Sequence, residues 1–590
     1  MKLEHLHIRK ITLVLQVFLM LCWASRLAGT VSYYSIYALC TMGAMVCLLD
    51  NFRCHRKSQR FTVLIGATIA SLLSFASVLA NYPLFQYMRE DLSASTNLVL
   101  NVMAAVTAFL GGIVVFYNIF ICLYHRFPYS SEDEDALSSG KYPARVFLGV
   151  FGSLSVIYLI YLFFVVYPGN VTSDSIWQIY MIRDNNYSNH HPYWHTTAIR
   201  LCLTLGYKLF GDANAAAATF SFFQSLVMAA CFAYAVVTLY QHRVPRIFLI
   251  LTFGVFALLP HHITFSATVW KDVPFGFAML AFVVSMFRIM RNVGRSQLLN
   301  YILFVISGIG VCIMRTNGLA AMAAAFAMLL IFFFKKCKSM LLPWLGILVV
   351  GWALTGPVLA HIGIYNENTL EGLSVPLPQV ARVITNGGEL TEHEYEMIST
   401  ILDINEVPED YTEECCDPIK DLIRDMDWDY SFLREHMSEF AKLWIDIGMR
   451  YPWEYVEAWV EETKGYWNGG YDYYIYAQYV SDNDFGMYMV EQDNLIHTLM
   501  KAYFTITRET VFFQPLQSIG FNVWILSMLC FLNMAWGRRE FLLTMPVVAV
   551  VFTLWLTTPV FSEFRYAYSV FTTLPFILPV SLCRKAGEEK

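Results

Sequence analysis

The stretch that decides the fold is residues 167–200, YPGNVTSDSIWQIYMIRDNNYSNHHPYWHTTAIR. It follows an uninterrupted apolar run, residues 146–166, which is long enough to cross a lipid bilayer. Pro168 and Gly169 end that helix, because neither residue continues a helix well. The chain then stays polar for several turns, which predicts that it leaves the membrane here and forms a structured loop at the surface.

A short helix is predicted at the start of this loop. Thr172 and Ser173 offer N-cap hydroxyls, and Asp174 falls in the first turn, where the helix dipole favours a carboxylate. Three isoleucines recur at roughly helical spacing, so one side of the helix is apolar and we expect it to lie along the membrane surface. They are Ile176, Ile179 and Ile182.

A histidine cluster follows a polar break. His190 and His191 precede Pro192, His195 comes three residues later, and a second amphipathic run, residues 196–210, leads back to the bilayer. One carboxylate and three histidines at the mouth of a membrane protein are suited to a binding or catalytic site. The alternative, a polar loop with a capping aspartate, stays open at this point.

The composition predicts a polytopic membrane protein with one soluble domain. Of the 590 residues, 57% are hydrophobic and only 15% are charged, which is too apolar for a soluble protein. Residues 362–515 contain 30 acidic and 9 basic residues, whereas the rest of the chain contains 16 acidic and 31 basic residues. An acidic, mainly helical domain is therefore expected within a basic membrane body. Thr391 with Glu394 predicts a capping box at the start of one of its helices.

Apolar windows of about 20 residues predict about fourteen transmembrane helices. They lie near residues 11–29, 31–49, 61–81, 97–123, 146–167, 213–240, 245–261, 273–290, 299–315, 318–334, 341–361, 517–536, 541–557 and 566–583.

The basic connectors predict the orientation. With the N-terminus inside, all of them fall on the cytoplasmic side, as short loops of multi-pass proteins do. Both termini are then cytoplasmic, and the histidine loop and residues 362–515 are outside. The connectors are Arg53, Arg56, Lys57 and Arg60; Arg243 and Arg246; Arg288, Arg291 and Arg295; Lys335, Lys336 and Lys338; Arg538 and Arg539; and Arg584 and Lys585.

We therefore expect an all-α polytopic membrane protein of four parts. Residues 1–145 form an N-terminal transmembrane module, and residues 146–361 form a transmembrane core with the outer loop 168–212. Residues 362–515 form the extracytoplasmic domain, in which the tyrosine-rich run 471–479 is a short strand or a loop over the site. Residues 516–590 supply the last transmembrane helices.

Further charged residues fall at the same predicted end of the bundle. Lys271 and Asp272 precede a span in SATVWKDVPFG, and Glu563 and Arg565 precede another in PVFSEFRYAYSV. Arg315 lies between two apolar runs, where an ionisable group is costly and points to a function. The Lys271–Asp272 and Glu563–Arg565 pairs could instead anchor their helices at the interface. A transporter would place charge and broken helices at mid-membrane, whereas an enzyme acting on a lipid head group would place charge at this boundary.

The layout of residues 146–583 resembles the GT-C superfamily of polyprenyl-phosphate-sugar-dependent glycosyltransferases. The first outer loop carries Asp174 between amphipathic helices, the turn 190–192 is similar to the histidine-proline turn of many members, and the late FRYAY stretch is similar to their arginine-tyrosine motif. The common Asp-Glu pair of that loop is absent, since Ser175 follows Asp174. A divalent cation, Mg²⁺ or Mn²⁺, therefore stays an open option.

The resemblance implies transfer of a sugar from a polyprenyl-phosphate carrier to an acceptor outside the cytoplasmic membrane: a cell-envelope glycan, a lipid or a protein. Asp174 would be the general base, and Asp272 is the next catalytic candidate. The basic side chains would stabilise the departing phosphate. The expected substrate-binding residues are His190, His191, His195, Lys271, Arg315, Glu563 and Arg565. A nucleic-acid partner is not expected. A lipid-linked glycan transporter or flippase and a non-catalytic envelope scaffold are the alternatives.

Overall fold

The structure is a computed structural model. It describes residues 2–27, 33–54, 58–81, 95–127, 143–294, 296–335, 337–364, 370–427, 430–471, 473, 478–558 and 560–583. Some of the connectors that predict the orientation lie outside the described residues, namely Arg56, Lys57, Arg295, Lys336, Arg584 and Lys585.

The described part of the chain is all-helical, as predicted, with isolated β-bridges in place of strands. The first half contains α1 (Lys2–Leu27), α2 (Tyr34–Cys54), α3 (Arg60–Asn81), α4 (Ser95–Arg126), α5 (Pro143–Phe164), α6 (Ser173–Asp184), α7 (Tyr193–Phe210), α8 (Ala213–Gln241), α9 (Arg246–Leu258), α10 (Pro260–Ser266), α11 (Asp272–Arg291), α12 (Gln297–Met314), α13 (Gly318–Phe333), α14 (Lys338–Thr355) and α15 (Pro357–His361).

The second half contains α16 (Pro376–Thr385), α17 (Glu392–Ile401), α18 (Val407–Asp410), α19 (Asp417–Met426), α20 (Ser431–Glu435), α21 (Met437–Arg450), α22 (Pro452–Thr463), α23 (Leu495–Glu509), α24 (Gln514–Gln517), α25 (Ile519–Ala535), α26 (Phe541–Thr557) and α27 (Tyr568–Leu582). Short 3₁₀ turns lie at Glu371–Leu373, Lys464–Tyr466 and Phe564–Ala567.

Several of these helices fit a multi-pass membrane protein. Within the described residues, eight helices are long and apolar enough to cross a membrane, and the pair α9 and α10, bent by 53°, could form a ninth span. Each of the fourteen predicted spans overlaps a helix. Four of the overlapping helices are apolar but shorter, at 10–17 residues. The count of fourteen crossings therefore stays a prediction.

Several helices of the bundle pack around α11. This helix contacts α8, α12, α26 and α27, and its Leu280, Phe282 and Val283 are fully buried. The same hydrophobic core extends from Met20 in α1 to Leu582 in α27, so the N-terminal helices share it. The start of α11, the end of α12 and the turn before α27 lie at one end of the bundle, and this placement builds the site.

Residues 370–455 have a hydrophobic core of their own, which fits the predicted domain. The predicted capping box is confirmed: Thr391 caps Glu394 and the Glu394 carboxylate accepts from the Thr391 backbone. The domain also contacts the loop before α27. The Phe561 amide donates to the Glu414 carbonyl at 2.8 Å, and the Tyr466 hydroxyl accepts from the Glu563 amide at 3.0 Å. The loop that carries Glu563 and Arg565 is therefore held by the domain.

Candidate functional site

The segment after α5 is fixed by backbone pairing on both sides. Gly169 has a φ of 116°, and Ser221 and Ala267 occupy the space that a Cβ would need there. Asn170 then forms a parallel bridge with Thr268, and Val171 forms another with Val480. The polar backbone groups of this segment are thereby paired, and the start of α6 is held between two distant parts of the chain.

The cap of α6 differs from the prediction. Thr172 is the N-cap residue, but its hydroxyl makes no capping bond and instead accepts from Trp270 Nε1 at 2.6 Å. Ser173 is the first helical residue and Asp174 lies in the first turn, as predicted. The Ser175 hydroxyl donates to the Val269 carbonyl. The threonine is therefore used to tie α6 to the loop before α11 rather than to cap the helix.

Two ion pairs meet at the start of α6. Arg565 Nη1 lies 2.5 Å from Asp174 Oδ2, and Arg565 Nε lies 3.4 Å from Glu563 Oε1. The Tyr473 hydroxyl donates to the same Glu563 oxygen at 2.8 Å, and the Arg565 guanidinium stacks 5.0 Å from the Trp270 ring centre. One arginine therefore links the predicted loop aspartate to the glutamate before α27.

A third carboxylate is paired beside them. Arg315 Nη1 lies 2.5 Å from Asp272 Oδ1, and the Asp272 side chain is fully buried. Arg315 also stacks 4.6 Å from the Tyr566 ring centre, and Arg565 lies 5.2 Å from the same ring. Because Asp272 is buried, removing Arg315 would leave an unpaired charge inside the protein. Arg315 therefore has a structural role as the partner of Asp272, in addition to any role in ligand binding.

Lys271 differs from the two arginines. Its charge acts on Asp174 and Asp272, yet its ammonium forms no hydrogen bond or ion pair with any residue in the described ranges. Burial lowers the pKa of Lys271, and the two carboxylates oppose that effect. We call Asp174, Asp272, Glu563, Lys271, Arg315 and Arg565 the Asp174 cluster.

Asp174 and Glu563 have opposite pKa shifts. Burial alone would raise the pKa of Asp174, but Arg565 and then Lys271 hold it well below its usual range. Burial raises the pKa of Glu563 although Arg565 and Tyr473 oppose it. Asp174 is therefore an anion at neutral pH, 31% exposed, and a weak proton acceptor for as long as both cations face it. Environments that separate carboxylate pKa values are common at catalytic sites.

The three predicted histidines lie next to the cluster. Asp174 and Lys271 act on each of the three rings, and His190 is also close to Glu371 and Arg424 of the 362–515 domain. Burial lowers the pKa of His195 to about 3, so the ring is neutral. All nine predicted site residues thus come together at one end of the bundle; their roles stay predictions.

Sequence reasoning missed Gln178. Its amide contacts His195 Nδ1, and it lies one helical turn after Asp174 on the same face of α6. That i, i+4 spacing from a candidate base was the available signal. Tyr473, within the tyrosine-rich run, was expected only as part of a strand or loop; most of that run lies outside the described residues.

The described residues do not fit a resident metal. Nowhere in the described ranges do three His, Cys, Asp or Glu side chains come close enough to hold an ion. Asp174 and Asp272 are each paired with an arginine instead. The option of Mg²⁺ or Mn²⁺ therefore finds no ligand set among the described residues.

Comparison with known proteins places most of the chain in a protein family. A family model described as a family of unknown function, DUF6020, matches residues 179–589. No curated protein and no solved structure matches the chain.

Proposed function

The chain belongs to the DUF6020 family, and we propose that it transfers a sugar from a polyprenyl-phosphate carrier to an acceptor outside the cytoplasmic membrane. The observation that carries this proposal is the Asp174 cluster. Three carboxylates and three cations meet beside the ends of apolar helices, and Lys271 has no ion pair among the described residues. A cation without a partner at a lipid boundary is suited to an anionic lipid head group.

The phosphate of the donor would bind Lys271 and Arg565. Arginine presents a planar fork that matches phosphate oxygens, and both cations would stabilise the charge that develops on the departing phosphate. Binding would also draw Arg565 away from Asp174. Because the two cations are what lower the pKa of Asp174, their engagement by phosphate would raise that pKa and make Asp174 a better base.

The chemical step then balances as a displacement. The hydroxyl oxygen of the acceptor forms a bond to the anomeric carbon while the bond from that carbon to the phosphate oxygen breaks. The polyprenyl phosphate leaves with the electron pair, and the proton of the acceptor hydroxyl passes to Asp174. A positioned base of this kind contributes about 10²–10⁴-fold.

The architecture proposed with this function is similar to the GT-C superfamily. It has about fourteen spans, both termini in the cytoplasm and the 362–515 domain outside. That orientation puts the Asp174 cluster on the outer side. A lipid-linked glycan transporter is the second candidate, because α9 and α10 form a broken helix pair that ends six residues before Asp272, and broken helices are typical of transporters.

Transfer and transport are separated by one assay. The purified full-length protein in liposomes is incubated with a panel of radiolabelled undecaprenyl-phosphate sugars and an envelope extract as the source of acceptor. We expect label to move from the lipid to the acceptor with wild type and not with Asp174→Asn. Label that crosses the bilayer while still attached to its lipid would support the transporter and contradict the proposed transfer.

The orientation is tested by cysteine labelling in intact cells. Asp482 and Arg539 are both exposed, and they belong to opposite predicted sides. In a background without the exposed Cys54, Asp482→Cys should react with an impermeant maleimide, whereas Arg539→Cys should react only after permeabilisation. The reverse pattern would contradict the proposed orientation and the extracytoplasmic site.

A further inference from the structure

In the Asp174 cluster and in the histidines next to it lie buried polar atoms that have no hydrogen-bond partner among the described residues. They are Asp272 Oδ2, His195 Nε2 and His191 Nδ1. Asp272 is fully buried, and His195 and His191 are only 1% and 5% exposed. Buried polar side chains in proteins are almost always hydrogen-bonded. A group of exceptions next to a candidate site therefore points to a ligand that supplies the bonds.

His195 is held so that one of its nitrogens stays available. Its Nδ1 lies 3.0 Å from the amide nitrogen and 3.1 Å from the amide oxygen of Gln178, so Gln178 can satisfy Nδ1 in either tautomer. The Gln178 amide nitrogen in turn donates to the Thr196 hydroxyl at 2.8 Å. The ring is thereby fixed through Nδ1, and Nε2 is the atom left for a ligand.

The chemistry of these atoms selects hydroxyl groups. The Asp272 oxygen only accepts hydrogen bonds, and a neutral imidazole nitrogen accepts or donates depending on the tautomer. A hydroxyl does both, so it satisfies each atom. A phosphate oxygen accepts only and would be repelled by the Asp272 carboxylate. The phosphate is therefore expected at Lys271 and Arg565, and the hydroxyl-bearing part of the ligand at His195 and Asp272.

We propose that His195 and the free oxygen of Asp272 bind hydroxyl groups of the donor sugar ring, with Gln178 as the positioning residue that holds His195. This inference rests on the proposed function, because it assigns the sugar and the phosphate of one donor to two adjacent halves of the site. His195 and Asp272 would therefore determine which sugar is bound, whereas Lys271 and Arg565 would recognise its phosphate.

The test compares two probes on the full-length protein in lipid nanodiscs. Undecaprenyl phosphate measures binding at Lys271 and Arg565 alone. Its glucosyl, mannosyl and galactosyl esters measure binding at these cations together with His195 and Asp272. Affinities are measured from ligand-dependent shifts in melting temperature. We expect wild type to bind at least one glycosyl ester about ten-fold more tightly than the bare phosphate. His195→Ala should lose that preference while its affinity for the bare phosphate changes less than about two-fold.

Matched variants guard against a folding defect. Gln178→Ala keeps the histidine but removes its support, so it should reduce the preference less than His195→Ala does. His195→Gln, whose amide both donates and accepts, should restore part of it. His393→Ala, an exposed histidine on α17, is the control and should behave as wild type. If His195→Ala does not fold, Gln178→Ala with an unchanged preference would overturn the proposal.

The outcomes separate this inference from the proposed function. Two results would contradict sugar binding by His195 and Asp272 but not phosphate binding by Lys271 and Arg565. In one, wild type binds undecaprenyl phosphate but prefers no glycosyl ester. In the other, the His195→Ala variant keeps the preference. Wild type that binds no polyprenyl phosphate overturns the proposed donor. In that case, free methyl glycosides test sugar binding separately from phosphate binding. Binding that depends on His195 supports the sugar site at His195 and Asp272, and no binding overturns it.

Discussion

The two ends of α11 carry two charge clusters of different character. Asp272 begins the helix in the Asp174 cluster, and Arg291 ends it, about 30 Å away at 1.5 Å per residue. At that second end Arg291 Nε donates to Glu540 Oε1 at 2.8 Å, and Arg538 Nε lies 3.3 Å from Glu540 Oε2. We call these three residues the Glu540 cluster.

The difference lies in what the protein leaves unpaired. In the Glu540 cluster the carboxylate is fully buried, each charge has a charged partner, and Arg538 Nη1 also donates to the Ser581 carbonyl at 2.6 Å. Within the described part of the Asp174 cluster, Lys271 has no ion pair. One carboxylate oxygen lacks a hydrogen bond among the described residues in each cluster, Asp272 Oδ2 in one and Glu540 Oε2 in the other, so the difference lies in the unpaired cation. Buried charges that only join helices are paired with charges of the protein itself, whereas a binding site keeps a charge for its ligand.

The sharpest way to break this comparison is Asp174→Asn. The Asp174 side chain is partly exposed, and Arg565 keeps Glu563 as a second charged partner in this variant, so the melting temperature should stay close to that of wild type. Turnover should fall about 10²–10⁴-fold, because the amide cannot take the acceptor proton. Sugar transfer per folded molecule measures this. A variant that keeps more than about a tenth of wild-type turnover would contradict the role of base.

Glu540→Gln should give the opposite result. It leaves Arg291 and Arg538 without their carboxylate in a buried position, and breaking a buried pair in this way costs about 3–5 kcal/mol. We expect a clear loss of thermal stability in nanodiscs, with turnover per folded molecule unchanged at low temperature. Reduced turnover in correctly folded protein would show that the two ends of α11 are coupled and not separate in function.

Lys271→Met tests the same difference between the Asp174 and Glu540 clusters, with a smaller expected effect. Because Lys271 forms no ion pair among the described residues, its loss should change the free energy of unfolding by less than about 1 kcal/mol. The affinity for undecaprenyl phosphate should fall about ten-fold through the loss of one charged hydrogen bond. A variant that is strongly destabilised and binds the phosphate normally would make Lys271 a structural residue like those of the Glu540 cluster.

Glu462 shows a third way of burying a carboxylate, and its variant should have the smallest effect. Its two oxygens are buried and lack hydrogen bonds within the described ranges, and burial raises its pKa to about 9. The folded protein therefore binds this proton more tightly than the unfolded chain does. The associated stability is fully present below about pH 4.3 and is lost as pH rises towards 9.

Glu462→Gln imitates the protonated form at every pH. We expect its melting temperature to match that of wild type near pH 5 and to exceed it by a few degrees near pH 9, as judged from the usual relation between stability and melting temperature. Melting curves of the full-length protein at both values check this. Equal pH dependence in the two proteins would show that Glu462 is ionised in the folded state.

The sequence by itself determined the local structure. Apolar runs and their lengths predicted the helices of the bundle, because a backbone that enters lipid must satisfy its hydrogen bonds internally. The position of Asp174 in the first turn of α6 and the Thr391–Glu394 capping box are confirmed. These features depend on residues within one or two turns of each other, so the pattern of residue types was enough.

Only the tertiary structure decided which groups meet. Asp174 pairs with Arg565, which is 391 positions away, and Thr172 binds Trp270 although it was predicted to cap α6. No local pattern carries such a choice, because the partner depends on how α6, α11 and the turn before α27 pack at one end of the bundle. The same packing leaves Lys271 without an ion pair among the described residues. The charged residues could be named from the sequence, but their pairing is a property of the folded bundle.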